Sequence, residues 1–429
     1  VCIKAVTLWN EYVKFRRDCY ALKRELDPDM WNNAPVIDWI AKEGRFLEDP
    51  NAFFDGLMKQ VNTNGFHIAR MRCSMQALHP QVAVWSFTWD REHGAHLWEA
   101  SHGIHESGSY IGSPVEDVNL HGGPVRIHLA KVNPADYHPL VGELIEMGLT
   151  DYYCTRVRFS GGRWCVLTIA TDQPDGFDDG EINCFDGLLD HIGVVLELHV
   201  TKRIEHSLLD TYLGERTGAR VMHGHIRRGD GETILAALWF SDVRDFTVLT
   251  ETLSVEQLLD SLNVYFETVE RAVRPHGGEI LRFVGDAMLI VFAQEHDQSA
   301  ETVCENALRA AEATLNDLGK VNEDRSKAGL PSLRFGVGLH YGEVVYGNVG
   351  GTHRLDFTVM GVAVNRTARL ESLTKQIGTP LLMSDVLSSH ITAPTVCCGD
   401  FAVKGVAAPL TVHALESALP FSTASEDKI

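Results

Sequence analysis

The chain has 429 residues, 45% of them hydrophobic, enough for roughly two or three domains of ordinary size, each with its own core. Lys+Arg 38 against Asp+Glu 58 give a formal charge of -20, which argues against general binding to nucleic acid or to anionic lipid surfaces. The nine cysteines are odd in number and contain no C-x-x-C pair, so neither a disulfide framework nor a zinc ribbon is suggested and a reducing cytoplasm is expected. No apolar run approaches the ~18 residues needed to span a bilayer, so neither signal peptide nor membrane insertion is expected. The chain begins at Val1 without a methionine, as a piece of a longer protein would.

In chain order, residues 1–35 read as an N-terminal helical segment, with Leu8, Tyr12, Phe15, Tyr20 and Leu22 spaced for one broad face. Residues 36–200 open with helical text, VIDWIAKEGRF and PNAFFDGLMKQVNTNG. They continue through strand-like runs, VAVWSFTW, YYCTRVRF and RWCVLTIAT, and close on an apolar helix, INCFDGLLDHIGVVLELHV. This predicts an α+β domain, with SGG as a hairpin turn between the last two strands. His93, His96, His102 and His105 crowd one polar segment but lack a helical i, i+4 pair with acidic support, so solvated histidines are expected rather than a metal site. Cys73, Cys154, Cys165 and Cys184 are expected to be buried small hydrophobes rather than redox sensors or chromophore attachment points. In its hairpin, its DQPDGFDDGEINCFDGL segment and its closing helix, 36–200 resembles a GAF-type sensory domain, which implies regulation by an unknown small molecule or protein. Residues 201–231 are expected to continue the helix and then to break at glycines 214, 218, 224 and 229, a linker able to couple two domains.

From Ile234 to about Leu415 strands and helices alternate, so 232–417 reads as a second α+β domain, and 418–429 as a polar tail. Two acids stand out. In EILRFVGDAMLIVF (279–292) two apolar strands meet at Gly285-Asp286, a pair suited to a tight turn. In ILAALWFSD an apolar run long enough to be buried on both faces ends at Asp242, where an uncompensated carboxylate would be costly. If these strands are neighbours, Asp242 and Asp286 converge on one divalent-metal site, and with the Val243 carbonyl and nucleotide phosphates they form a hard oxygen set suited to Mg²⁺. The alternative is that each Asp merely ends a strand or shapes a turn.

The ordered series FSDVRDFT, HGGEILRFVGDAM, GVGLHYGEVVYGNVG, DFTVMGVAVNRTARLE and FAVKGVA resembles a class III nucleotidyl cyclase through about 180 residues. The resemblance implies a ferredoxin-like βαββαβ core whose active sites form only in a homodimer. It implies that Asp242, Val243 and Asp286 hold two Mg²⁺ per site, with Mn²⁺ able to substitute, for attack of the ribose 3′-hydroxyl on the α-phosphorus of ATP. Asn365 and Arg369, four apart on a predicted helix and so sharing a face, would orient the ribose and neutralise charge on the α-phosphate. Lys404 would contact the leaving pyrophosphate, and Arg354 would assist at the triphosphate. The plain alternative for Asn365 and Arg369 is a surface amide and an Arg paired with Glu371 or another acid.

Base choice rests on Arg282, four residues before Asp286, where the family commonly has Lys for adenine or Glu for guanine. Arg282 only donates, so no acceptor for guanine is expected from it, and Thr358 could accept from the adenine amine. The expectation is therefore an adenylate cyclase regulated by its N-terminal domain. The alternatives are a guanylate cyclase and a non-catalytic protein on the cyclase fold. The presence of Asp242, Asp286, Asn365, Arg369 and Lys404 together separates activity from the last of these. GGEI at 277–280 resembles a diguanylate cyclase signature, but the hairpin tip here is Val284-Gly285-Asp286-Ala287, which does not fit it.

Overall fold

The computed structural model describes residues 31–402 and 409–418. The expected helix over 1–35 thus lies, up to residue 30, outside the described residues, as do Lys404 and the tail from 419. The chain divides into two units, Val1–Thr211 and Tyr212–Ile429. Both mix helices and sheet, so the chain is α+β. Among the described residues no helix is long and apolar enough to cross a membrane.

In the first unit, strands β1 (Arg70–Gln76), β2 (Val82–Asp90), β3 (Gly94–Ser101), β4 (Val125–Ile127), β5 (Asp151–Arg158) and β6 (Trp164–Thr171) form an antiparallel sheet ordered β3-β2-β1-β6-β5-β4. The helix Pro50–Thr63 starts where Asp49 accepts from the Asn51 N–H at 3.0 Å, and it buries Phe53, Phe54, Leu57, Met58 and Val61 at helical spacing. These pack with Met71, Cys73 and Met75 of β1 and with Phe185, Leu188, Ile192 and Leu196 of the helix Asp179–Leu213. The period of two in β1 sends Arg70, Arg72 and Ser74 to the other face of the sheet. The long helix stops at Gly214, where φ is 87°. Gly218 does not break the chain as expected. It lies buried inside the helix Glu215–Met222, because a glycine with helical neighbours on both sides costs only about 1 kcal/mol there.

In the second unit the strands are β7 (Gly231–Val243), β8 (Glu279–Val284), β9 (Ala287–Ala293), β10 (Phe335–Gly350), β11 (Leu355–Met360), β12 (Leu381–Ser384), β13 (Thr395–Phe401) and β14 (Leu410–Leu415). Their order is β13-β14-β12-β10-β7-β9-β8, with β11 added to β10, and only β10 and β12 run parallel. The helix Val255–Val273, opened by a Ser254/Gln257 capping box, and the helix Ala300–Lys327 pack on one face around Trp239, Tyr265, Ile290 and Phe292. The helix Val362–Ile377 packs on the opposite face, placing Ala363 and Leu370 in two smaller cores. It approaches β10 so closely that a Cβ on Gly338 would lie 2.4 Å from the Thr367 carbonyl oxygen, and only glycine fits.

Candidate active site

Two neighbouring strands carry the acidic pair. β7 and β9 are antiparallel partners with Asp242 opposite Ala287, the first residue after the β8–β9 turn. That turn closes over two residues, with Val284 paired to Ala287, and Gly285 takes a φ of 67° that a residue with a side chain would resist. The register brings the Asp286 carboxyl next to that of Asp242. Burial first, then the hydrogen bond and like charge of Asp286, push the Asp242 carboxyl up to about 6, while the Arg244 guanidinium pulls the other way. Beneath the pair, the buried Tyr265 hydroxyl donates to Ser241 Oγ at 2.9 Å, fixing the strand that presents Asp242.

Two further residues belong to this cluster. Glu371, on the sheet-facing side of the helix Val362–Ile377, is pushed up to about 7 by burial and by the charge of Asp242, with Arg244 opposing. Arg244 donates to Thr374 Oγ1 on the same helix. Gly336, opposite Asp242 in the β7–β10 register, makes room for them: a Cβ there would lie 2.6 Å from Arg244 Nη2 and 2.7 Å from Glu371 Oε1. The sequence offered one signal for Glu371, an acid at i+4 from Thr367 and i+1 from Leu370 on the face that packs inward.

Among the described residues no three His, Cys, Asp or Glu side chains form a protein-only metal cage. A pair of carboxylates with a nearby carbonyl is a hard oxygen donor set, and its negative charge, opposed here by Arg244, suits a divalent cation that also takes ligands from phosphate. The donors therefore fit Mg²⁺.

The remaining expected residues occupy three other places. Asn365 and Arg369 lie on the exposed face of the helix Val362–Ile377 and make no hydrogen bond or ion pair among the described residues. Arg369 is thus not paired with Glu371, which points the other way, into the acidic cluster. Arg282, on β8, forms an ion pair with Asp356 of β11, their side chains 47% and 39% exposed. Thr358, two residues along β11 and on the same face as Asp356, is buried. Sequence reasoning missed Asp356, whose only signal was its place two residues before Thr358. Arg354 is exposed in the turn joining β10 to β11. Lys404 lies outside the described residues.

Residues 232–417 match the family model described as the adenylate and guanylate cyclase catalytic domain. Among curated proteins, an adenylate cyclase of Anabaena cylindrica is 35% identical over 174 residues, covering 40% of this chain and 33% of that protein. Adenylate cyclase 1 of Rhizobium meliloti is 38% identical over 146 residues, covering 34% of this chain and 22% of that protein. The chain thus spans a third or less of the length of these relatives. Among solved structures, the adenylyl cyclase CyaB of P. aeruginosa is 28% identical, covers 43% of this chain and 95% of that chain, and superposes with a TM-score of 0.40.

Proposed function

We propose that this chain, in which residues 232–417 are a class III adenylate/guanylate cyclase catalytic domain, converts ATP to 3′,5′-cyclic AMP and pyrophosphate as a cytoplasmic homodimer. The observation that carries the reading is the convergence of Asp242, near the end of β7, and Asp286, in the β8–β9 turn, into one acidic pair. Two Mg²⁺ ions, when bound there, would supply acidity to the ribose 3′-hydroxyl and charge compensation to the triphosphate. The chain's own residues then bind and orient. Asp242 and Asp286, with the Val243 carbonyl, would hold the ions, Asp242 being brought beside the β8–β9 turn by the β7–β9 register.

Asn365 from the second protomer orients the ribose, and Arg369 beside it offsets the charge that grows on the α-phosphate as the 3′-oxygen bonds to phosphorus and pyrophosphate leaves. Support for this sharing is that both side chains are exposed and unpartnered within the described residues of one protomer. Lys404 and Arg354 would hold the β- and γ-phosphates. We read the catalytic core as ferredoxin-like and the sheet of residues 36–200 as a GAF-like regulatory domain, joined to it through 201–231.

ATP is the favoured substrate because both curated relatives named above are adenylate cyclases and because Thr358 can accept from the adenine amine. One observation favours a second reading, guanylate cyclase: Asp356 places a carboxylate acceptor beside the Arg282 donor, and such a pair could take up the N1–H and O6 of guanine. The deciding experiment is the product formed from an equimolar ATP and GTP mixture with Mg²⁺ and with Mn²⁺. Predominant cyclic AMP supports the proposal, predominant cyclic GMP the second reading, and neither product with either metal overturns both.

A further inference from the structure

On the face of the first unit's sheet that is turned away from Met71, Cys73 and Met75, Arg70 and Arg72 line a cavity of about 1380 Å³. Arg72 is held in place, its Nε donating to Ser86 Oγ at 2.7 Å and its guanidinium 4.8 Å from the ring centroid of Trp98. Arg70, two residues away on the same face, makes no hydrogen bond or ion pair among the described residues. Asp90, opposite Arg70 in the β1–β2 register, accepts instead from the backbone N–H groups of Glu92 and His93. Glu143 is the one carboxylate in the described lining, and neither guanidinium pairs with it. Burial and the like charge of Arg70 both lower the pKa of Arg72, as they must for two cations held together without a counter-ion. Both side chains are partly withdrawn from solvent in the cavity wall, and two such cations side by side are best complemented by an anionic group.

The walls specify the rest of such an anion. Trp98 stands on β3 and Trp164 on β6, on either side of β1 in the sheet order, and both line the cavity. The Trp164 indole is fixed by donating to Asn119 Oδ1 at 2.9 Å. We propose that this cavity binds an organic anion, with a flat apolar body flanked by Trp98 and Trp164 and a carboxylate or phosphate group held by Arg70 and Arg72. The binding does not depend on the reading of residues 232–417.

The test uses the full chain, titrated with 2-naphthoate, 2-naphthyl phosphate and the neutral 2-naphthalenemethanol and followed by tryptophan fluorescence and calorimetry. At least one anion is expected to saturate a single site and to bind at least about tenfold more tightly than the alcohol, the tighter anion telling carboxylate from phosphate. Arg70→Gln should weaken the anion by about tenfold or more and leave the alcohol unchanged, whereas Arg70→Lys should retain most of the affinity. Arg70 carries the test because its side chain makes no hydrogen bond or ion pair among the described residues. Arg72→Gln, checked for folding by near-ultraviolet circular dichroism, should behave alike. Equal affinity for anions and alcohol, no saturable binding of any probe, or anion affinity unmoved by Arg70→Gln would overturn the proposal.

Discussion

Acidification from pH 8 to pH 5 should weaken the second unit through one buried residue, His340. It lies on β10, 2% exposed, with Nδ1 2.8 Å from Ser384 Oγ. Burial first, and then the charge of Arg366, hold its imidazole down at about 4, with Asp385 pulling upward. In the unfolded chain the same group titrates near ~6.5. The folded value is the lower one, so the fold prefers the neutral ring. Its contribution is complete above the unfolded value and is lost as pH falls from there toward 4. Linkage between these two values gives a loss of about 2 kcal/mol at pH 5 relative to pH 8, and about 3 kcal/mol in the acid limit. With a urea dependence of about 2 kcal/mol/M, the unfolding midpoint of the unit should fall by about 1 M. Other groups titrate in this range too, so the informative quantity is the difference between the wild type and His340→Gln, which cannot ionise. The stability gap between the two proteins, measured by urea unfolding at several pH values, should close by about 2 kcal/mol between pH 8 and pH 5. Parallel pH profiles would show that His340 is not held neutral, and the reasoning would fail.

Asp286→Asn should abolish nucleotide cyclisation, while thermal stability in chelator-treated buffer holds steady or rises slightly, because the partner of Asp242 no longer repels it. A large drop in metal-free melting temperature would assign Asp286 to turn formation instead. Asp286→Asn and Arg369→Ala proteins should each be inactive, yet an equal mixture should recover roughly a quarter of wild-type activity, since half the dimers are mixed and half their sites are intact under two-fold symmetry. A mixture that stays inactive while subunits demonstrably exchange refutes the shared site. Arg282→Glu should lower ATP turnover far more than residual GTP turnover, and Asp356→Ala should cost GTP turnover about tenfold more than ATP turnover if the pair reads the base. Equal losses with both nucleotides would mean that the pair contacts phosphate or protein.

Local pattern alone determines much of the scaffold. Alternating and continuous apolar runs, glycine at a turn that needs positive φ, and helical spacing on PNAFFDGLMKQVNTNG are properties of a few adjacent residues, and the strands and helices follow them. That Asp242 and Asp286 lie at strand ends is equally local. That they touch is not, for it depends on β7 pairing with β9 in one register, and a slip of one residue would turn Asp242 to the other face. Arg244 meets Thr374 across 130 residues, and Glu371 meets Asp242 only because Gly336 and Gly338 let the helix Val362–Ile377 settle onto β10. The same holds for Arg282 and Asp356, which look like unrelated surface charges until the fold brings β8, paired to β9, within reach of β11, paired to β10. The strand Arg70–Gln76 is not among the runs read from the sequence, and only the structure sets Arg70 and Arg72 on one face of it. Whether a carboxylate answers them depends on which residues β2, β3 and β6 bring around that face, and charge pairing over such separations is decided by packing rather than by neighbouring residues in the chain.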